Sequence, residues 1–213
     1  EFKICATLKR EDPRDVIITK GFKNLKEFPQ KAKIATGSLR RKLQLQSIRP
    51  DFNFFPIRGN IDTRIKKLVT ENYDGIVLAA AGLKRMGWLN SPDSLEMPDS
   101  FEIDLPPLKV IYLPTERVIP SAGQGALALE IRVNDKETAD ILAPLNDKET
   151  ELCVNTERVF LEQVGGDCTI PVGAYAEIYK SLITVHAFLG EEDPLKVYKS
   201  NVSGNPELFT RLG

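Results

Sequence analysis

Residues 33–85 read KIATGSLRRKLQLQSIRPDFNFFPIRGNIDTRIKKLVTENYDGIVLAAAGLKR. KIAT is a short apolar run of the kind that makes a buried strand, ending at Thr36. SLRRKLQLQSI follows with helical spacing and Ser38 at its N-cap. FNFFPI is a second strand, and NIDTRIKKLVTENY a second helix capped by Asn60 or Asp62. DGIVLAAAGL is a third strand running into small residues. Strand, helix, strand, helix, strand with short connections predicts a parallel α/β sheet. In such sheets ligands bind where strands end and helices begin.

The flanks add less regular elements. FKICATL at residues 2–8 is strand-like. Residues 89–120 are rich in Pro, Ser and Asp and read as an exposed loop or insertion. SAGQGALALEIR passes from small residues into an alternating strand, and NDKETADILAPL into a short amphipathic helix. Residues 149–164 form a longer helix in which Leu152, Cys153, Val159, Phe160 and Val164 share one arc, so Cys153 is expected to be a core thiol. Cys5, in a strand-like run, is expected to be one too. YAEIY and LITVHAFLG are strands joined at a Lys-Ser turn. With the preceding helix they make a small α+β unit, and His186 lies within it as a structural or exposed residue.

The whole chain is ordinary for a globular protein: 213 residues, 42% hydrophobic, 28% charged, net charge −1. That balance gives no global pull toward nucleic acid or membrane. No apolar run approaches the ~20 residues of a spanning helix. Three dispersed cysteines fit a reducing, cytoplasmic setting without disulfides. A single histidine and no Cys-x-x-Cys argue against a metal site. The first residue is Glu1 and not Met, which reads as a fragment or a processed chain.

Two features ask for a ligand. Arg40, Arg41, Arg58, Arg64, Lys84 and Arg85 all fall near predicted strand ends and helix starts, although a helix N-terminus prefers anions. A bound polyanion, held by guanidinium and free N–H groups, would resolve this. Solvated or internally paired arginines are the plainer alternative. Neither a Walker motif nor G-x-G-x-x-G is present, so a nucleotide is not favoured. The second feature is VGGDCTIPVG, 164–173, which puts Cys168 on a glycine-rich loop. A core thiol, a metal or redox thiol, and a thiol that carries a covalent bond compete there.

Taken in order, REDPRD (10–15), SLRR (38–41), IRGNIDTR (57–64), YDGIVLAAAGLKR (73–85), GQGALALE (123–130) and GGDCTIPVGAYAE (165–177) resemble the porphobilinogen deaminases, or hydroxymethylbilane synthases. The resemblance implies a monomeric, cytoplasmic, three-domain transferase of haem and tetrapyrrole biosynthesis. Such an enzyme condenses four porphobilinogen molecules head to tail, releases ammonia each time, and hydrolyses off a linear tetrapyrrole. It implies a dipyrromethane cofactor joined through a thioether to Cys168. By the same resemblance Ser38, Arg40, Arg41, Arg58 and Arg64 bind the cofactor, and Lys84, Arg85 and Gln124 contact substrate. It implies a periplasmic-binding-protein-like α/β domain with a parallel or mixed sheet over 1–116, carrying an insertion near 87–116. A crossing and remaining piece of the first domain follow at 117–147, and a C-terminal α+β domain at 148–213.

The departures are specific. Gly-Gly-Asp-Cys stands where Gly-Gly-Cys is commoner, and Thr-Gly-Ser where Thr-Ser-Ser is usual. The family's His-Ser-x-Lys-Asp motif, which holds its catalytic aspartate, has no match here, so the resemblance places no catalytic carboxylate in these residues and predicts an inactive chain. Two other functions fit parts of the pattern. An anion-binding module of periplasmic-binding-protein type explains the arginines but leaves Cys168 idle. A cysteine hydrolase using Cys168 and His186 lacks an orienting third residue.

Overall fold

Strands β1 (Phe2–Thr7) and β2 (Asp15–Thr19) are neighbours in sequence but enter different sheets. The computed structural model describes residues 1–89, 91, 93–98, 101, 105–165 and 170–209. Contacts divide the chain into two units. One is Arg14–Val118 with Gly190–Val197; the other joins Glu1–Pro13, Ile119–Leu189 and Tyr198–Gly213. Residues 1–13 thus share a contact unit with residues 119–189.

In the first unit the predicted alternation is present: β3 (Lys33–Ala35), α1 (Leu39–Ile48), β4 (Asn53–Phe55), α2 (Ile61–Thr70), β5 (Gly75–Ala79), α3 (Ala80–Arg85) and β6 (Lys109–Leu113). The sheet order is β4-β3-β5-β2-β6. β3 runs parallel to β4 and β5, whereas β2 is antiparallel to β5 and β6. The sheet is therefore mixed. β2 is buried along its whole length, as suits a central strand covered on both faces. Val16 and Ile18 join one apolar cluster with Ile65 and Leu68 of α2 and Leu83 of α3. Ile17 joins the other, with Leu45 of α1, Phe28 and Phe52. The period-2 geometry of a strand thus assigns one helical layer to each face.

The segment after α3 departs from expectation. Trp88, Leu89, Leu95 and Leu108 are buried in the first cluster, with Met97, Phe101 and Leu105 packed against it. Ser94 also bridges Lys109 at the start of β6. Its polar composition hides widely spaced apolar anchors, and at these described residues the chain covers the core where an exposed loop was expected.

The second unit begins with β1, paired antiparallel to β7 (Ala128–Arg132), with an irregularity between Ile4 and Ala6. Helix α4 (Lys136–Leu142) is capped by Asp135, and a 3₁₀ turn occupies Ala143–Leu145. Helix α5 (Lys148–Gln163) is capped by Asp147, whose carboxylate accepts from the Thr150 N–H at 2.8 Å. Strands β8 (Val172–Tyr179), β9 (Leu182–Glu191) and β10 (Lys196–Gly204) form a sheet in that order. Lys180 and Ser181 join β8 to β9 with φ of 48° and 64°, a primed hairpin turn. A short helix, α6 (Pro206–Phe209), follows.

The face that α5 buries is only half as expected. Cys153 is buried, but its companions are Thr150, Thr156 and Glu157, while Leu152, Val159 and Phe160 are intermediate. Cys5 is half-buried.

Candidate functional site

The C-terminal ends of β3, β4 and β5 lie side by side, so the starts of α1, α2 and α3 share one sheet edge. Ser38 caps α1, its hydroxyl accepting from the Arg41 N–H at 3.4 Å, while its own N–H donates to Thr36 Oγ1 at 3.2 Å. Gly37 is required by close approach: a Cβ there would stand 2.8 Å from the carbonyl oxygen of Ile57. A cavity of about 240 Å³ opens at this edge between Thr36–Leu39, Lys42 and Phe54–Pro56.

No acidic residue occupies the first turn of α1. The anion that faces its two arginines comes from β2. Asp15 is fully buried and forms ion pairs with Arg40, whose Nη1 stands 2.8 Å from Oδ2, and with Arg41, whose Nη2 stands 2.8 Å from Oδ1. Arg41 Nε donates to the same Oδ1 at 2.9 Å, and its Nη1 to the Val77 carbonyl at 3.3 Å. Burial pulls the Arg40 guanidinium below its ordinary value, against the attraction of Asp15. Internal pairing therefore answers part of the charge paradox posed by the sequence.

The next pair is built differently. Arg58 is exposed in the turn before α2, beside Gly59 at φ 119°. Arg64 Nε donates to the Gly59 carbonyl at 2.7 Å, and Lys67 Nζ to the Arg58 carbonyl at 3.4 Å. Asp62 supplies an acidic group in this first turn. Lys84 and Arg85 are placed otherwise than the sequence implied. They end α3, in the last turn of a six-residue helix, where cations are favoured by the helix dipole. The misplaced-cation argument does not extend to them.

The remaining sites lie in the other unit. Gln124 donates from Nε2 to the Pro13 carbonyl at 2.6 Å, and its neighbour Gly125 carries φ 88° with its carbonyl bound by the Glu11 N–H at 3.0 Å. Cys168 lies outside the described residues, in the segment between α5 and β8. His186 meets Glu177 at 3.2 Å and stacks on Tyr175 with centroids 6.1 Å apart. Cys153 is raised to about 12 by burial, above all other influences.

Sequence reasoning passed over three charged residues. Asp15 is one. The others are Arg10 and Glu157, a bidentate pair with both bonds at 2.7 Å. Fully buried Glu157 also accepts the Gly123 N–H at 2.6 Å and the Ala176 N–H at 2.7 Å, tying α5 to β8 and to the chain before β7. The available signal was the spacing of Thr150, Cys153 and Glu157, one helical stripe that includes the buried thiol.

A family profile described as porphobilinogen deaminase, dipyromethane cofactor binding domain, matches residues 1–140. A second, porphobilinogen deaminase, C-terminal domain, matches residues 151–211. A porphobilinogen deaminase from Geobacillus kaustophilus (strain HTA426) is 44% identical over 209 residues, covering 98% of this chain and 62% of the relative. Those of Clostridioides difficile (strain 630) and Syntrophus aciditrophicus (strain SB) are 43% and 39% identical, each over 99% of this chain, and 65% and 63% of the relatives. The chain thus spans under two thirds of the length of these relatives.

Proposed function

The chain belongs to the porphobilinogen deaminase family, and from that premise we propose that it forms the larger part of an enzyme that condenses four porphobilinogen molecules into hydroxymethylbilane. The observation that carries the proposal is the cationic sheet edge, where Arg40, Arg41, Arg58 and Arg64 stand in or just before the first turns of the helices that follow two neighbouring strands, β3 and β4. Each pyrrole unit bears an acetate and a propionate. The growing chain is therefore polyanionic, and guanidinium groups beside helix N-termini suit it.

The cationic edge suits the carboxylates of a dipyrromethane. Its carboxylates would be held by Ser38, Arg40, Arg41, Arg58 and Arg64, and its anchor would be the sulfur of Cys168. When bound, it supplies the nucleophilic pyrrole end to which substrate units are added, each with loss of ammonia. The thiolate is the soft nucleophile for that anchorage: a carbon–sulfur bond forms as the carbon–nitrogen bond of porphobilinogen breaks and ammonia leaves. Lys84, Arg85 and Gln124 are assigned to substrate. Gln124 would act from the backbone strap it makes with Pro13, and Lys84 and Arg85 from the far end of α3.

The domain reading goes with this proposal. A periplasmic-binding-protein-like second domain spans 1–116 with an insertion near 87–116, a crossing and remaining piece of the first domain span 117–147, and the third domain spans 148–213. A monomer working in the cytoplasm is part of the same reading; among the described residues no helix is long and apolar enough to cross a membrane. The 213 residues alone are expected to make no tetrapyrrole, because the resemblance assigns the catalytic aspartate to a motif they do not contain.

The test joins this chain to the N-terminal region of the Geobacillus relative and supplies porphobilinogen. An adduct on the peptide spanning Cys168, lost in Cys168→Ser, is expected, with linear tetrapyrrole formed only by the joined protein. An adduct on Cys5 or Cys153 would overturn the anchor. Saturable anion binding with no adduct and no product would favour the non-enzymatic module instead.

A further inference from the structure

Asp15 has no part in the chemistry proposed above, yet it pairs with both arginines in the first turn of α1. It opens β2 opposite Ala79, the last residue of β5, and Leu113, the last residue of β6. Among the described residues, Asp15 and Glu157 are the fully buried carboxylates. Asp15 is set between two guanidinium groups, at 2.8 Å from each. A guanidinium has five N–H donors in one plane. Three of those on Arg41 are engaged, two by Asp15 and one by the Val77 carbonyl. The plane is fixed, and two donors remain.

We infer that Asp15 is a positioning residue for anion recognition: by sharing one carboxylate it sets the planes of Arg40 and Arg41, so that the remaining Arg41 donors meet a ligand carboxylate in one orientation. This rests on the reading that the edge binds pyrrole carboxylates. Charge alone predicts the opposite consequence of losing Asp15. Replacing an aspartate with asparagine makes the edge one unit more positive, which by itself tightens binding of any anion. Orientation predicts weaker binding, because a bidentate contact needs both donors aligned.

The experiment titrates porphobilinogen into the 213-residue chain, into Asp15→Asn, and into Arg41→Lys, and follows exchange of the Arg41 Nε proton by NMR. Asp15→Asn should bind roughly tenfold more weakly and exchange that proton at least about tenfold faster, despite its added positive charge. Arg41→Lys keeps the charge and loses the fork, and should weaken binding similarly. Binding by Asp15→Asn as tight as wild type, or tighter, overturns the inference alone. Should that variant fail to fold, Arg41→Lys decides, and unchanged affinity there overturns the inference. Absence of saturable binding by the wild-type chain overturns the binding reading and the inference with it, whereas rapid Nε exchange in a chain that binds overturns only the positioning.

Discussion

Glu157 and Cys153 share one face of α5 and show how far single residues could be read. A thiol beside apolar neighbours reads as core, and Cys153 is core. A glutamate four positions later reads as solvent-facing, because a buried carboxylate needs partners that sequence does not reveal. Glu157 finds them in Arg10, Gly123 and Ala176, more than 140 and some 30 and 20 positions away in the chain. The pairing of Asp15 with Arg40 and Arg41 was hidden for the same reason. Burial of a charge depends on partners brought by the fold. Cys153 carries a testable consequence. Burial raises its thiol from 9.0 to about 12. The neutral form is the one the fold favours, so its contribution is whole below pH 9 and is lost as pH climbs from 9 toward 12. At pH 8 iodoacetamide should modify Cys153 at least ~100-fold more slowly than glutathione, as followed by peptide mass. Reaction at the rate of a free thiol would refute its burial.

At the level of elements, the alternation over 33–85 was legible because both strand ends and helix starts carry local signals. Small polar caps, short apolar runs and 3.6-residue spacing all act within a few residues. Ser38 and Asn60 are the N-caps of α1 and α2. The helix after DGIVL was missed because Ala and Gly extend a strand pattern as easily as they open a helix. Strand β10 was missed because KVYKSNVSG is mostly exposed and has no apolar face to announce it. The segment after α3 failed in the other direction. Proline and serine set its composition, whereas a few distant leucines set its structure. Leu95, 8% exposed, decides between the two accounts. Leu95→Ala should cost about 2–5 kcal/mol if it fills the core and within about 0.5 kcal/mol if it lies on a surface loop. Urea denaturation of both proteins measures the difference.

For the molecule as a whole, contacts group residues 1–13 with residues 119–189 and begin the arginine-bearing unit at Arg14, a grouping that sequence does not announce. Long-range strand pairing made the difference: β1 finds its partner in β7, and nothing within residues 1–13 names that partner. Both apolar clusters of the arginine-bearing unit fall within residues 16–118. Its first and last strands are direct neighbours, with Asp15 opposite Leu113. A piece spanning residues 14–118 should therefore fold alone, with a single cooperative transition and dispersed amide resonances. A molten species, with secondary structure but no fixed side-chain signals, would show that the other segments are needed.

The pairing of β1 with β7 also sets a timetable during synthesis. Phe2 meets Arg132 and Thr7 meets Ala128, so β1 emerges from the ribosome well over a hundred residues before β7. At 5–20 residues per second that interval is roughly 6–25 s. Phe2 and Ile4, 66% and 46% exposed even in the folded chain, stay uncovered throughout it, while the intervening sheet has time to close first. A nascent chain stalled within that interval would present an unpaired strand with two bare apolar side chains, the kind of surface on which chaperones act.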